Sequence, residues 1–314
     1  MLTRRHIRVK VMQSLYAFNQ SENDNLASEE KFLLKSMEEM YDLFVLQLSL
    51  LTEIKAHAET FLERSQQKHL ATQEDKDPNR KFVQNAVFEI LEQNTQLEQI
   101  IDDRKLNHWK FDDEYVAILW NEIKESNAFA DYMETRENSF KEDKDFVLAI
   151  FKKVIAPNDK IYDYFEDKKL TWLDDLPLVN TAVVKMLQKL KQTATPEDKL
   201  PKLFKSIDDK EFAVNLFRKT YLKDGELSNE MQGKTPNWDK DRIAEIDTVL
   251  LKMAICEFLE FPSIPVKVTI NEYLEISKEY STPKSSIFIN GILDKLSKEY
   301  KTDGKLNKIG RGLM

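Results

Sequence analysis

Apolar residues recur three or four positions apart along almost the whole chain, the spacing that places them on one face of an α-helix. One such series comprises Leu33, Met37, Met40, Phe44, Leu48 and Leu51. The alternating pattern of a strand is rare, and its best example, residues 266–270, follows Pro265 and leads into a helical pattern. Because proline suits the first turn of a helix, we interpret this run as a helix entry. The pattern predicts an all-α fold.

A repeated unit follows the polar stretch 71–80. Three segments open with Phe82, Phe146 and Phe212 and close with Trp109, Trp172 and Trp238, at spacings of 27, 26 and 26 residues. A tryptophan before each helix could stack on nucleic-acid bases. Large aromatic side chains at helix junctions more often anchor a core, so we interpret the tryptophans as structural and expect them to be buried.

Polar, proline-containing stretches at 71–80 and 193–201 are candidate linkers. They divide the chain into residues 1–70, N-terminal helices with a basic first helix; residues 71–205, an inserted helical region with two extra Phe…Trp units; and residues 206–314, a C-terminal helical part with a basic tail. The chain of 314 residues can bury a substantial core.

Composition excludes several classes of function. The six glycines begin at Gly225, so the first 224 residues contain no glycine-rich phosphate or dinucleotide loop. The four histidines lack metal-ligand spacing, and the pairs Asp174–Asp175 and Asp208–Asp209 are interpreted as solvated helix ends. With one cysteine, Cys256, no internal disulfide can form. We therefore predict a non-enzymatic, cytoplasmic protein without metal, cofactor or membrane span, and an inert, buried Cys256.

The first 21 residues carry Arg4, Arg5, Arg8 and Lys10 and no acid, although the chain has a net charge of −8. Thr3 is a plausible N-cap, and Ile7, Val11, Leu15 and Phe18 form one apolar stripe. Cations at a helix N-terminus cost about 0.3–1 kcal/mol each, so their placement there suggests a role.

Three interpretations of this segment stay open: a solvated end, a nucleic-acid contact, and an organelle transit peptide. The tail from Lys298 onward has five cations and two acids, so both termini are basic while the body is acidic. This distribution favours a local anionic ligand.

Two segments of the chain carry a recognisable pattern. The first is RRHIRVKVMQSLYAF, with Arg4, Arg5, Arg8, Gln13 and Tyr16. The second runs from RIAEIDTVLLKMAICEFL to the closing helix, with the strings Ile270-Asn271-Glu272 and FINGILDK. In these two segments the chain resembles the NusB family of transcription antitermination factors. The resemblance covers about residues 3–20 and 210–300, and it implies an all-α, NusB-like helical bundle enlarged by the repeated units. The intervening segment 22–205 is a long elaboration.

The resemblance also implies the site residues. RNA would contact Arg4, Arg5, Arg8, Gln13, Tyr16 and Phe288. Many family members have a basic residue where this chain has Ile287, and Lys284 would supply that charge here. Asp247 would face a protein partner. His6 replaces an arginine of the family's usual run.

The partners implied are single-stranded boxA-like RNA of nascent ribosomal RNA transcripts, ribosomal protein NusE and the RNA polymerase antitermination complex. Whether the protein forms a homodimer is left open. One alternative is a helical protein–protein scaffold without direct RNA binding. A second alternative is an RNA-modifying enzyme, but the absence of a glycine-rich cofactor loop from the sequence disfavours it.

Overall fold

A computed structural model describes residues 1–21, 25–68, 70, 72–232, 234 and 244–313. Every regular element in these ranges is helical and none is a strand, which confirms the all-α prediction. The helices are α1 (Arg4–Gln20), α2 (Leu26–Gln66), α3 (Gln73–Lys76), α4 (Ala86–Glu92), α5 (Thr95–Arg104), α6 (Asp113–Glu125), α7 (Asn127–Met133), α8 (Phe140–Ile150), α9 (Asp159–Lys168), α10 (Leu176–Lys189), α11 (Ile207–Leu222), α12 (Asp224–Met231), α13 (Glu245–Glu260), α14 (Val266–Tyr280) and α15 (Ser285–Thr302).

The chain forms two compact units, and the boundary between them falls within α2. The terminal unit consists of the described residues within 1–37 and 203–314, and the inserted unit consists of those within 38–202. The segments 71–80 and 193–201, predicted as linkers, both belong to the inserted unit. The three-part division drawn from the sequence stays a prediction.

In the terminal unit, α13 is the central helix. It packs against α1, α11, α14 and α15, and every residue from Val249 to Phe258 except Lys252 is buried. A helix that is apolar all round is stable only inside a core. The predicted stripe of α1, Ile7, Val11, Leu15 and Phe18, is buried as well, so α1 closes this core although α11 to α15 lie about two hundred residues further along the chain.

The local predictions at helix ends are confirmed. Thr3 is the N-cap residue of α1, and its backbone N–H donates to Nδ1 of His6 at 3.2 Å. The ambiguous run after Pro265 is the first turn of α14, which begins at Val266. At the end of α15, Gly304 adopts a positive φ of 67°, a conformation that favours glycine after a helix.

The inserted unit contains two of the repeated segments, and both follow one plan. Each has two helices, α4–α5 or α8–α9, followed by a 3-10 turn that contains the tryptophan: His108–Lys110 or Leu170–Trp172. Asn94 and Asn158, each twelve residues after the opening phenylalanine, cap α5 and α9 through their side-chain oxygens. The two copies differ in one respect, because a π-helical turn, Phe151–Ile155, extends α8.

The tryptophans of these two repeats are core residues. Trp109 and Trp172 are 2% and 1% exposed, and the opening residues Phe82, Phe146 and Phe212 are buried too. The indole Nε1–H of Trp109 donates to the backbone oxygen of Leu46, and that of Trp172 to the backbone oxygen of Glu39, both at 2.9 Å. These acceptors lie seven residues apart on α2, so the repeats are spaced two helical turns apart along it. The structural interpretation is confirmed for both; Trp238 lies outside the described residues.

Candidate nucleic-acid interface

An open groove of about 1080 Å³ lies at the N-terminus of α1 in the terminal unit. Three segments form its walls: the first turns of α1, the start of α11, and the turn from Ser263 into α14. The charged side chains that line it are Arg4, Arg5, Arg8, Asp208, Glu211 and Glu272. The groove therefore gathers the predicted arginines, but it is lined by an equal number of carboxylates.

Arg4 lies at the side of the groove formed by α11. Its Nε donates to Oδ1 of Asp209 at 3.1 Å, and its guanidinium lies 4.8 Å from the centre of the Phe212 ring. The Arg4 side chain is 40% exposed, whereas Asp209 is largely covered. Part of the guanidinium therefore remains accessible from the groove.

Arg5 makes a bidentate pair with Glu272 on α14. Nε donates to Oε2 at 3.0 Å and Nη2 to Oε1 at 2.8 Å, while 42% of the Arg5 side chain stays exposed. The hydrogen bonds from Arg5 are the main reason that the pKa of Glu272 lies below its usual value. The same pair raises the pKa of Arg5.

Arg8 differs from the other two because it is buried. Its side chain is 2% exposed, and Nε and Nη2 donate to the two carboxylate oxygens of Glu257 at 2.8 and 2.7 Å. Thr269 Oγ1 and Tyr273 OH also donate to this carboxylate, at 2.6 and 3.3 Å. Arg8 thus fixes α1 to α13, and although it belongs to the lining of the groove, only 2% of its side chain is exposed.

These pairs change the explanation of the basic first helix. From the sequence, an external polyanion was expected to offset the cost of cations at a helix N-terminus. The structure places Asp209, Glu272 and Glu257 beside the three arginines, so carboxylates of the same unit already offset that cost. Asp209 is buried, and so is Asp175, the N-cap residue of α10. The expectation that these two acids are solvated is therefore wrong.

The remaining sequence-predicted RNA contacts are distributed over the terminal unit. On α1, Tyr16 is 37% exposed and Gln13 is half-buried. Lys284 is exposed and precedes α15, whereas Phe288 is only 6% exposed. Ile287, the residue just before Phe288, is 76% exposed. None of these residues lines the groove of Arg4 and Arg5.

Asp247, predicted to face a protein partner, is 4% exposed. Its two carboxylate oxygens accept hydrogen bonds from the hydroxyls of Ser281, at 2.7 Å, and Ser285, at 2.6 Å. The side chain therefore fixes the turn between α14 and α15. Its role toward a partner stays a prediction.

The basic tail is held against the terminal unit. Lys308 Nζ donates to the backbone oxygens of Glu257 and Phe261 at the end of α13, and partial burial lowers the pKa of Lys308. Lys305 pairs with Glu230 at 3.0 Å. At least these two tail cations have partners within the protein.

Sequence reasoning missed the acidic side of this site. Glu257 is the one polar residue in the apolar run from Met253 to Leu259, apart from the thiol of Cys256, and that isolation is the signal that could have marked it as a buried ion-pair partner. Glu272 stands in the Ile270-Asn271-Glu272 string, but its partner could not be identified from the string alone.

Comparison with known proteins matches the C-terminal part of this chain to one family. The model of the NusB family matches residues 179–298, which include α11 to α14 and most of α10 and α15. The resemblance inferred from the sequence is confirmed for this segment, and the chain is longer than its relatives.

Three curated relatives all carry the name transcription antitermination protein NusB. The protein of Salinibacter ruber is 43% identical over 105 residues, which are 33% of this chain and 66% of that protein. The protein of Chloroherpeton thalassium is 38% identical over 128 residues, 41% of this chain and 59% of the relative. The protein of Koribacter versatilis is 36% identical over 94 residues, 30% of this chain and 64% of the relative. The chain thus spans a little under two thirds of each relative's length.

No solved structure matches the chain. Among the helices in the described ranges, none combines the length and apolar character that crossing a membrane requires.

Proposed function

We propose that this protein is a non-enzymatic, RNA-binding transcription antitermination factor. It would bind boxA-like RNA of nascent ribosomal RNA transcripts together with ribosomal protein NusE, within the RNA polymerase antitermination complex. One observation carries the proposal: the arginines of α1 are joined to the segment that matches the NusB family. Arg8 binds Glu257 and Arg5 binds Glu272, so the two distant parts of the sequence that resemble the family form one groove.

Arg4 and Arg5 are the arginines that would contact RNA directly. Their pairs with Asp209 and Glu272 are partly exposed, and such pairs contribute about 0–1 kcal/mol. A phosphate that accepts two hydrogen bonds from one guanidinium can therefore replace Glu272 on Arg5 at little cost. On Arg4 the phosphate would bind the part of the guanidinium that faces the groove, while Nε keeps its bond to Asp209. Arg8 is a positioning residue in this proposal, because it holds α1 in place while its side chain is almost fully buried.

The carboxylates around the groove have a second consequence. Because arginines and acids line it in equal number, the groove does not attract polyanions by net charge. RNA affinity would depend on a few directed contacts, with Tyr16 and Gln13 of α1 as the predicted contacts to bases that are not paired. We therefore expect modest non-specific binding and a clear preference for one sequence.

The alternative is a protein–protein scaffold without direct RNA binding. It is favoured by the same ion pairs, since every arginine of the first two turns already has a carboxylate partner. The two functions differ in what they predict for Arg4 and Arg5, so substitution of these residues separates them.

The test is RNA affinity, measured by fluorescence anisotropy at several salt concentrations, with boxA-like and scrambled RNA. The variant Arg4→Gln/Arg5→Gln should bind boxA-like RNA more weakly and flatten the log–log salt slope by about 1.4, from about 0.7 per phosphate contact to a single strand. The matched control is Arg136→Gln/Arg218→Gln, which removes the same charge from two exposed arginines that pair with Asp77 and Glu30.

Equal affinities and slopes for the two variants would reject direct RNA binding by the groove and leave the scaffold. Binding to NusE is measured separately by size-exclusion chromatography of the mixed proteins. We expect a complex with the wild type and with the arginine variant, and tighter binding of boxA-like RNA when NusE is present. The variant Asp247→Asn tests whether this carboxylate supports the contact.

A further inference from the structure

The inserted unit contains a second cationic site, which neither the family match nor the α1 groove explains. A pocket of about 530 Å³ lies between the C-terminus of α10, the loop that follows it, the end of α4 and the N-cap residue of α5. Lys189, Lys191 and Lys199 line it. We call it the lysine-rimmed pocket.

The three lysines of the pocket are not neutralised by nearby acids. All three are exposed, and none forms an ion pair within the described part of the chain. The pocket is lined by one carboxylate, Asp198, whose Oδ1 accepts a hydrogen bond from Thr195 at 3.1 Å. Elsewhere in the inserted unit, Lys55 and Lys169 pair with glutamates. A net positive pocket in a chain of net charge −8 indicates an anionic ligand.

The loop that carries Lys191 and Lys199 is fixed by hydrogen bonds, although its sequence was predicted to be a linker. The backbone oxygen of Pro196 accepts from the backbone N–H of Thr95 at 3.0 Å. Asn94 Nδ2 donates to the backbone oxygen of Asp198, and the N–H of Leu200 donates to Oε1 of Gln96, both at 2.8 Å. The lysines are thus presented on a preformed surface, which lowers the entropy cost of binding.

The end of α10 is fixed in the same way. The ammonium of Lys144 on α8 donates to the backbone oxygens of Gln188 and Leu190, each at 3.3 Å. These bonds satisfy carbonyl groups that a helix end leaves open. They hold the positions of Lys189 and Lys191, so Lys144 acts as a support and not as a rim residue.

Apart from the lysines, most of the residues that line the pocket are apolar, and this decides the class of ligand. Ile90, Met186 and Pro201 contribute partly exposed apolar surface to the lining. A cationic rim over apolar walls fits a phosphate chain whose unpaired bases turn inward. A duplex keeps its bases stacked inside and offers only phosphates.

We propose that the lysine-rimmed pocket binds single-stranded RNA, with phosphates on Lys189, Lys191 and Lys199 and one base against Met186. This site is independent of Arg4 and Arg5, and it gives the inserted unit a role that shorter relatives lack. The longer chain would contact RNA at two places. The site reads no defined sequence, because its contacts are phosphates and one base face.

The experiment uses the full chain and a single-stranded RNA of mixed sequence without a boxA-like element. Lys189→Gln/Lys191→Gln/Lys199→Gln should flatten the log–log salt slope of binding by about 2, from about 0.7 per contact. The matched control is Lys152→Gln/Lys153→Gln/Lys160→Gln, which removes three exposed lysines from the same unit and should leave the slope unchanged. Melting curves confirm that each variant is folded.

Ultraviolet cross-linking to the same RNA, followed by mass spectrometry, locates the contact. Peptides from residues 186–201 should be recovered from the wild type and from Arg4→Gln/Arg5→Gln, and be lost from the lysine variant. This result separates the pocket from the α1 groove, because RNA contact can be lost at either site while it is retained at the other.

The proposal would be overturned by equal salt slopes for the lysine variant and its control, by cross-links only at α1, or by competition from polyglutamate as strong as that from RNA. Strong competition by polyglutamate would assign the pocket to an acidic protein segment. Duplex RNA should compete more weakly than single-stranded RNA, and equal competition would also contradict the proposal, because it would show that phosphates alone are bound.

Discussion

The guanidinium of Arg8 and the carboxylate of Glu257 form a buried, bidentate ion pair across 249 residues of sequence. Burial alone lowers the pKa of an arginine, but the Glu257 carboxylate more than offsets this effect and raises the pKa of Arg8. The pair connects the first helix to the central helix of the terminal unit. Its chief role is therefore structural, although Arg8 belongs to the arginine cluster predicted to bind RNA.

Replacing Arg8 should destabilise the terminal unit severely. Arg8→Met leaves the Glu257 charge buried and unpaired, which costs about 3–5 kcal/mol. The measurement is the urea midpoint of unfolding, followed by circular dichroism. The control Arg136→Met breaks an exposed pair with Asp77 and should cost about 0–1 kcal/mol.

The double variant Arg8→Met/Glu257→Leu should recover part of the loss, because it removes the second charge as well. If Arg8→Met and Arg136→Met shifted the midpoint equally, the pair would not hold α1 in place.

The loss of stability on replacing a tryptophan of the inserted unit should depend on whether its indole N–H makes a hydrogen bond. Trp109→Phe and Trp172→Phe each remove an indole donor to α2 and leave a small void, so each should cost about 1–3 kcal/mol. Trp120 is also buried, but its Nε1 has no hydrogen-bond partner within the described residues. Trp120→Phe should therefore cost less, and thermal melts of the three variants test this order. A larger loss for Trp120→Phe would contradict it.

Cys256 should be chemically inert in the folded protein. Its side chain is fully buried, and burial is the main cause that raises its pKa to about 12. Labelling by a thiol reagent at about pH 8 should be slow under native conditions and rapid in denaturant, because the attacking species is the thiolate. Fast labelling of the native protein would show that α13 opens readily.

Stability should fall in alkali because of buried tyrosines. Burial is the main cause that raises the pKa of Tyr132, Tyr164 and Tyr300, and a hydrogen bond from Tyr164 to Asp112 adds to it. An unfolded tyrosine loses its proton near pH 10, while the folded one retains it. The unfolded state then binds fewer protons, so the free energy of unfolding decreases as pH rises through about 10.

The neighbours Tyr164 and Tyr162 provide a matched test of this effect. Tyr164 is 3% exposed and Tyr162 is 47% exposed. Between about pH 9 and pH 11, urea midpoints should fall less for Tyr164→Phe than for the wild type, while Tyr162→Phe should follow the wild type. An identical pH dependence in all three proteins would contradict the assignment to Tyr164.

Much of the fold could be predicted because helices follow a local period. The buried stripe of α1 and the apolar series of α2 follow the helical spacing of apolar residues, which the sequence displays directly. Phe82 and Phe146 are buried at the same position of their repeats. The repeats are visible for the same reason, since each copy needs its phenylalanine, capping asparagine and tryptophan at fixed intervals. The helix start at Val266 follows from Pro265 alone.

The partners of the charged residues could not be predicted in this way. Arg4, Arg5 and Arg8 look alike in the sequence, yet only Arg8 is buried, because only its position on α1 faces Glu257. The stability of an ion pair depends on distance and burial in three dimensions, and neither is encoded in the spacing of residues that lie more than two hundred positions apart. The sequence by itself determined the helices, the repeats and the basic first helix; the tertiary structure alone decided which arginines remain accessible to a ligand.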